Sequence, residues 1–134
     1  MKDFGVVASV GCPVTEEVIA LIISRAAGRR VCIRAKYLSN GPLAYTGVSE
    51  VETAVSMFMP TMPIHLGPHG KRAGFIRDRN LVRSVDSMLA FFSVVKIMSG
   101  GTAHVVEVCI SEGVPVEAYV VPSEGHMWLL ASYP

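Results

Sequence analysis

Cysteine is scarce in this sequence and nothing pairs it: Cys12, Cys32 and Cys109 make an odd count, and no two are spaced as CxxC. That pattern excludes a disulfide framework or a zinc knuckle and fits a reducing cytoplasm. Long apolar runs are missing too. The opening "MKDFGVVASVGCPV" has only a short apolar stretch after Asp3, and the run around Phe91 is broken by Asp86 and Lys96 before it reaches spanning length. Neither a secretory leader nor a membrane span is expected, so no membrane partner follows. Charge is also low: 17% of residues are charged and the net charge is +1. No global field of the kind that drives non-specific nucleic-acid binding exists. There is no internal repeat, low-complexity tract or linker, and 134 residues suit one core. A single domain over 1–134 is expected. Half of the residues are hydrophobic, an apolar balance that points to surface covered by a second subunit.

What is present alternates between β-branched apolar runs and helical patterns, the signature of βαβ units around a parallel sheet. "FGVVASV" (4–10), "RRVCIRAK", "MPIHLGP", "SMLAFFSV" and "VPVEAYVV" read as five strands. "TEEVIALIISRAAG" (15–28) reads as a helix capped by Thr15 and stopped by Gly28. A short helix follows near Ser49 to Phe58, a third begins after Gly70 in "HGKRAGFIRDRNLVRSV", and a fourth opens at "SGGTAHVVE" (99–107). The fold class is therefore α/β, a Rossmann-like three-layer fold with a mostly parallel sheet of about five strands. The apolar tail 122–134, with the only tryptophan, is expected to dock on the body or on a neighbouring subunit.

In such sheets ligands settle beyond the carboxyl ends of the strands, where loops lead into helix N-termini. Backbone N–H groups and a partial positive charge there attract anions. Gly100 and Gly101 remove Cβ atoms that would hold a phosphate off, and Ser99 and Thr102 add hydroxyls. The same residues also suit a tight turn with Thr102 as a cap. "SVGCPVTEE" supplies Ser9, Gly11 and Cys12 before another helix, so a second anion cradle lies beside the first if strands one and four are neighbours.

Five of the twelve basic residues (Lys71, Arg72, Arg77, Arg79 and Arg83) fall within thirteen positions. Helical phase puts Arg72, Arg79 and Arg83 on one solvated face and turns Phe75 inward. Arg77 falls at the edge of the buried stripe and needs a partner. Phosphate suits its planar fork, and Asp86 is the alternative. His65 and His69 are separated by Gly67 and Pro68, which exclude the helical geometry that makes this spacing useful to a metal, so no metal and no cofactor is expected. Cys12 has no base placed near it and is a small loop residue by default.

"AGFIRDRNLVRSVDSMLAFF", "SGGTAHVVE" and "GVPVEAYVV" together resemble the SLOG superfamily of Rossmann-like nucleotide-binding domains, and its small YspA-like members most. The resemblance covers residues 69–121 well and 1–30 in outline. "LSNGPLAYTG", within the divergent segment 36–60, stands where relatives carry a glycine-rich motif. The superfamily includes the lonely-guy phosphoribohydrolases, which carry an RK pair followed by PGG-x-GT-x-EE. Arg77, Gly101 and Thr102 match that pattern, but Asp78 stands for the lysine, and His104 and Val105 stand for the paired glutamates.

Three functions compete on these grounds. The first is binding of a nucleotide or nucleotide-derived small molecule by a cytoplasmic homodimer, through the two loops and Arg77. The second is N-glycosidic hydrolysis of a nucleoside monophosphate, with Arg77, His104 or Glu107 as candidate catalytic residues; His104 and Glu107 also suit a solvated i, i+3 pair. The third follows the more distant DNA-processing protein A and is single-stranded DNA binding. Nucleic acid ranks last, because the basic stretch has Phe75 alone as an aromatic and phase turns it inward.

Overall fold

The computed structural model describes residues 2–35, 49–65 and 73–134, apart from the side chains of His65 and Ala73. "LSNGPLAYTG", Gly70, Lys71, Arg72, His69 and the side chain of His65 lie outside the described residues.

The chain alternates as expected: β1 (Asp3–Ala8), α1 (Glu16–Ala26), β2 (Val31–Ala35), α2 (Glu50–Phe58), β3 (Thr61–His65), α3 (Ala73–Arg83), β4 (Val85–Ser93), α4 (Gly100–Glu112), β5 (Val116–Val121) and β6 (Trp128–Tyr133). A 3-10 turn, Val94–Lys96, follows β4. The strands form one sheet in the order β3-β2-β1-β4-β5-β6. The first four pairings along that order are parallel, and β6 runs antiparallel to β5. The expected five strands are thus six. The apolar tail does not simply rest on a surface: it completes the sheet edge, with Ala118 opposite Ala131 and Val120 opposite Trp128.

Two apolar layers explain the sandwich. Phe4, Val6 and Ala8 of β1 face Val18 and Ile22 of α1 and Val51 and Val55 of α2. Val7, one residue out of phase, faces the other way with Leu81 and Val82 of α3 and Val105, Val106 and Cys109 of α4. Strand alternation sends successive side chains to opposite faces, so α1 and α2 cover one face and α3 and α4 the other. The result is a Rossmann-like three-layer fold.

Local signals set the helix ends. Thr15 Oγ1 accepts from the Val18 N–H at 3.1 Å, and Glu16 and Glu17 lie in the first turn. The expected stop at Gly28 comes one residue earlier: Ala27 takes the left-handed conformation (φ 50°), and its N–H bonds to Ile23 O. Gly28 follows it, also left-handed.

The order places β1 and β4 side by side, as the two-loop reading required. The chain leaves β3 at one edge and returns as β4 on the far side of β1, so the loops after these two strands diverge to opposite faces. A crevice opens between them at the carboxyl ends. The strand ends are stitched together: the Ser9 N–H donates to Phe91 O at 2.9 Å and the Ser93 N–H to Ser9 Oγ at 2.9 Å.

All three cysteines are buried, at 1% exposed for Cys12 and 0% for Cys32 and Cys109. Burial pushes each thiol from 9.0 up to about 12, with Glu50 adding to the effect at Cys12 and Asp3 at Cys32. The folded thiols therefore stay protonated where unfolded ones ionise, and stability falls as pH rises from 9 toward 12. A chromogenic thiol reagent at pH 8 is expected to leave the native protein unmodified and to label all three sites after denaturation. Fast labelling of any one thiol in the native state would contradict this burial.

Candidate functional site

The crevice is built around a buried ion pair. Arg34 of β2 is 1% exposed and Glu52 of α2 is 0% exposed. Arg34 Nη2 donates to Glu52 Oε1 at 2.9 Å and Nε to Oε2 at 3.2 Å, a two-pronged match of fork and carboxylate. Glu52 also accepts from the Ala8 N–H at 3.2 Å, the Arg34 N–H at 3.0 Å and Ser49 Oγ–H at 3.0 Å. Arg34 Nη2 reaches on to Ala8 O at 2.9 Å and Thr102 Oγ1 at 3.0 Å. One pair thereby ties β1, β2, α2 and the first turn of α4 together.

That tie sets the loop into α4. Gly100 has φ +72°, a conformation L side chains rarely adopt, and Met98 shares it at φ 48°. At Gly101 an added Cβ would come within 3.3 Å of Arg34 Nη1. Gly101 is therefore small for Arg34 first, and the approach of any ligand follows from that. Ser99 is the N-cap of α4, but its side chain makes no capping hydrogen bond. The amides of the first turn and the helix dipole face the crevice without it.

Two clefts meet over these glycines. One, of about 130 Å³, is lined by Ala8, Ser9, Val10, Arg34, Lys96 and Ser99, with Gly100, Gly101 and Thr102 as its floor. The other, of about 350 Å³, is lined by Gly74, Phe75, Arg77, Asp78 and His104 and shares Gly100 and Gly101. Arg77 borders this second cleft with a side chain 12% exposed. Its Nε is buried with no hydrogen-bond partner, and the nearest carboxylate, Asp78 Oδ1, stands 3.7 Å away. Burial first, and then the charge of Arg34, hold its pKa below the ordinary guanidinium value.

The expected site residues separate by role. Ser9, Ser99, Gly100, Gly101 and Thr102 come together in the first cleft, and Arg77 and His104 in the second. Thr102 is 2% exposed and its oxygen is engaged by Arg34. Gly11 and Cys12 do not join them. The Gly11 N–H donates to Glu50 Oε2 at 3.1 Å, and Cys12 packs into the core. The first loop therefore presents a carboxylate where a second anion cradle was expected, and only its Ser9 end lines the crevice.

Asp86 is not the partner of Arg77; it bonds Arg29 at 2.6 Å. Asp86 opens β4 where α3 ends, whereas Arg77 lies near the start of α3, at the other end of the sheet. Phe75 is not inward but 59% exposed, because it lies one turn beyond the buried Asp78, Leu81 and Val82, where the helix overhangs His104. Arg79 and Arg83 are exposed, as a solvated face requires, and Arg83 also bonds Glu112 at 3.2 Å. Glu107 is exposed on α4, and His104 turns from it to Asp78, Nδ1 to Oδ2 2.8 Å.

Sequence reasoning missed Arg34, Glu52 and the Asp78–His104 pair. Signals existed for two of them. "SEVE" (49–52) has the capping-box spacing, and Ser49 Oγ does accept from the Glu52 N–H at 3.1 Å. Asp78 and His104 are the two acid–base departures from the phosphoribohydrolase pattern, and they are each other's partners. No known protein family, curated protein or solved structure matches this chain. Among the described residues no cluster of His, Cys, Asp and Glu could hold a metal, and no helix is long and apolar enough to cross a membrane.

Glu52→Ala leaves Arg34 as a buried, unpaired charge and is expected to cost about 3–5 kcal/mol in urea unfolding. The Arg34→Met, Glu52→Leu double variant is expected to recover most of that loss. Equal losses in the single and double variants would mean that packing, not charge pairing, sets the site.

Proposed function

We propose that the chain binds a nucleotide or nucleotide-derived ligand across Gly100 and Gly101, in order to sense or sequester it. The observation that carries this reading is Arg77: a desolvated guanidinium whose Nε has no hydrogen-bond partner, at the wall of a cleft that continues over a helix N-terminus. Leaving such a donor unmatched costs about 1–3 kcal/mol, and an anionic ligand at the cleft would offset it. Lys96 and the α4 amides provide for a phosphate on one side of the glycines. Phe75 and His104, edge to face at 4.7 Å, provide an aromatic wall on the other. The resemblance of residues 69–121 to SLOG domains supports the same ligand class.

A cytoplasmic homodimer completes the proposal. Met57, Phe58 and Val95 are 75%, 68% and 86% exposed, which suits a covered surface. Hydrolysis of an N-glycosidic bond has less behind it. Val105 is buried in the core where a phosphoribohydrolase has a glutamate, and Glu107 is exposed. Single-stranded DNA binding gains one exposed ring beside Arg79 and Arg83, but Arg83 is already paired with Glu112. One ring is short of the repeated stacking platform such binding uses.

A thermal-shift panel of nucleoside monophosphates, ADP, NAD, ADP-ribose and cyclic nucleotides tests the proposal. A ligand at a hundred times its Kd is expected to add about 2.7 kcal/mol to the folded state. That shift is expected to vanish in Arg77→Ala. No shift with any member of the panel would overturn the reading.

A further inference from the structure

Asp78 has no part in holding a ligand as described so far and His104 serves only as a wall of the cleft, yet the two have the geometry of a base and its orienting group. Asp78 is held in α3 with its side chain 5% exposed. Its Oδ2 lies 2.8 Å from His104 Nδ1. In the neutral ring this bond places the proton on Nδ1 and leaves the lone pair on Nε2. Phe75 packs against the ring, and His104 keeps 27% of its side chain exposed at the larger cleft. An imidazole fixed by a buried carboxylate, half-open to a ligand cleft, is the arrangement by which a histidine takes a proton from a nucleophile.

Among the described residues that line this cleft, Gly74, Phe75, Arg77, Asp78, Gly100, Gly101 and His104, none carries a hydroxyl or a thiol. Water is the nucleophile this lining suits. A second observation bears on the cleft: Asp78 Oδ1 and Arg77 Nε are both buried without hydrogen-bond partners and stand 3.7 Å apart. The two form a long ion pair, matched in charge but too far apart for a hydrogen bond, which holds Asp78 beside the cleft.

The electrophile follows from the charge on either side of the glycines. Arg77 stands on one side, and Lys96 and the amides of the first turn of α4 on the other. Two positive stations about one short loop match two linked phosphates.

We infer that the site hydrolyses a phosphoanhydride, with His104 as general base on water and Asp78 as its positioning residue. The inference rests on the proposed nucleotide ligand. Water attacks the phosphorus on the Arg77 side, and its proton passes to His104 Nε2. The new O–P bond forms as the bridging O–P bond breaks. The bridging oxygen keeps the electron pair and leaves as part of the second phosphate, whose charge is held by Lys96 and the α4 amides. His104 then returns its proton to solvent, so a diphosphate and one water become two monophosphates. A phosphate leaving group needs no acid, which is consistent with a site offering a single base.

The test uses the full chain with ADP-ribose, ADP and NAD, with and without added magnesium, followed by phosphorus NMR and chromatography of products. From ADP-ribose the expected products are AMP and ribose 5-phosphate. His104→Gln is expected to lower kcat by about 100-fold or more while the thermal shift with ADP-ribose persists. Asp78→Asn is expected to lower kcat with KM unchanged, and the exposed Glu107→Gln to leave both unchanged. If ADP-ribose, ADP or NAD binds but stays intact, the hydrolysis is overturned and the binding reading stands. Release of free base in place of AMP overturns it in favour of glycosidic cleavage. Turnover that survives in His104→Gln overturns the assignment of the base, and absence of binding overturns both readings. Should His104→Gln melt early, His104→Asn with its own melting curve serves in its place.

Discussion

The Arg34–Glu52 pair is the constraint on which the rest of the crevice depends. A carboxylate with no exposed surface can stay ionised only if every lone pair is met, and Glu52 meets them with two backbone amides, one hydroxyl and a guanidinium. Those donors come from three parts of the fold: the end of β1 (Ala8), the end of β2 (Arg34, by both its amide and its guanidinium) and the cap of α2 (Ser49). Arg34 then extends the network to Thr102 in the first turn of α4. The distance between the two sides of the sheet at its carboxyl end is thus fixed by hydrogen-bond lengths and not by the softer contacts of apolar side chains.

Two consequences follow for the glycine loop. Gly101 suits its place because an added Cβ would meet Arg34 Nη1 at 3.3 Å and the guanidinium would have to give by a few tenths of an ångström. Gly100 is required because the chain must turn through a left-handed residue to start α4. Neither requirement concerns a ligand, yet together they leave backbone amides bare over a charged floor. Arg34 spends its hydrogen bonds inside the fold; burial first, and then the charge of Arg34, lower the pKa of Arg77, with Asp78 and Glu52 acting against them. An anion at the crevice would offset that burial and repulsion, so the structural pair and the proposed binding site share the same atoms.

The sequence disclosed the architecture well, because periodicity reports directly on burial. β1 shows it: Val6 and Val7 face opposite cores, as an apolar run buried on both sides must. The tail was harder, because an edge strand is half solvated and its pattern resembles any apolar segment, so Trp128–Tyr133 read only as something that must dock. The site was legible where a residue acts through its own backbone, as at Gly100 and Gly101. It was illegible where a residue acts through tertiary partners. Arg34 lies 68 positions from Thr102 and Asp78 lies 26 from His104, and no local rule joins either pair. Gly11 failed as a cradle for the same reason, since the carboxylate that claims its amide comes from α2.

The most direct measurement of the central claim is a titration of the 15N-labelled protein with inorganic pyrophosphate, followed by amide and arginine side-chain resonances. If the crevice is an anion site set by the buried pair, the Gly100, Gly101 and Thr102 amides and the Arg77 Nε–H shift together along one saturating curve. Shifts confined to exposed cations such as Arg79, or no saturation at all, would contradict it.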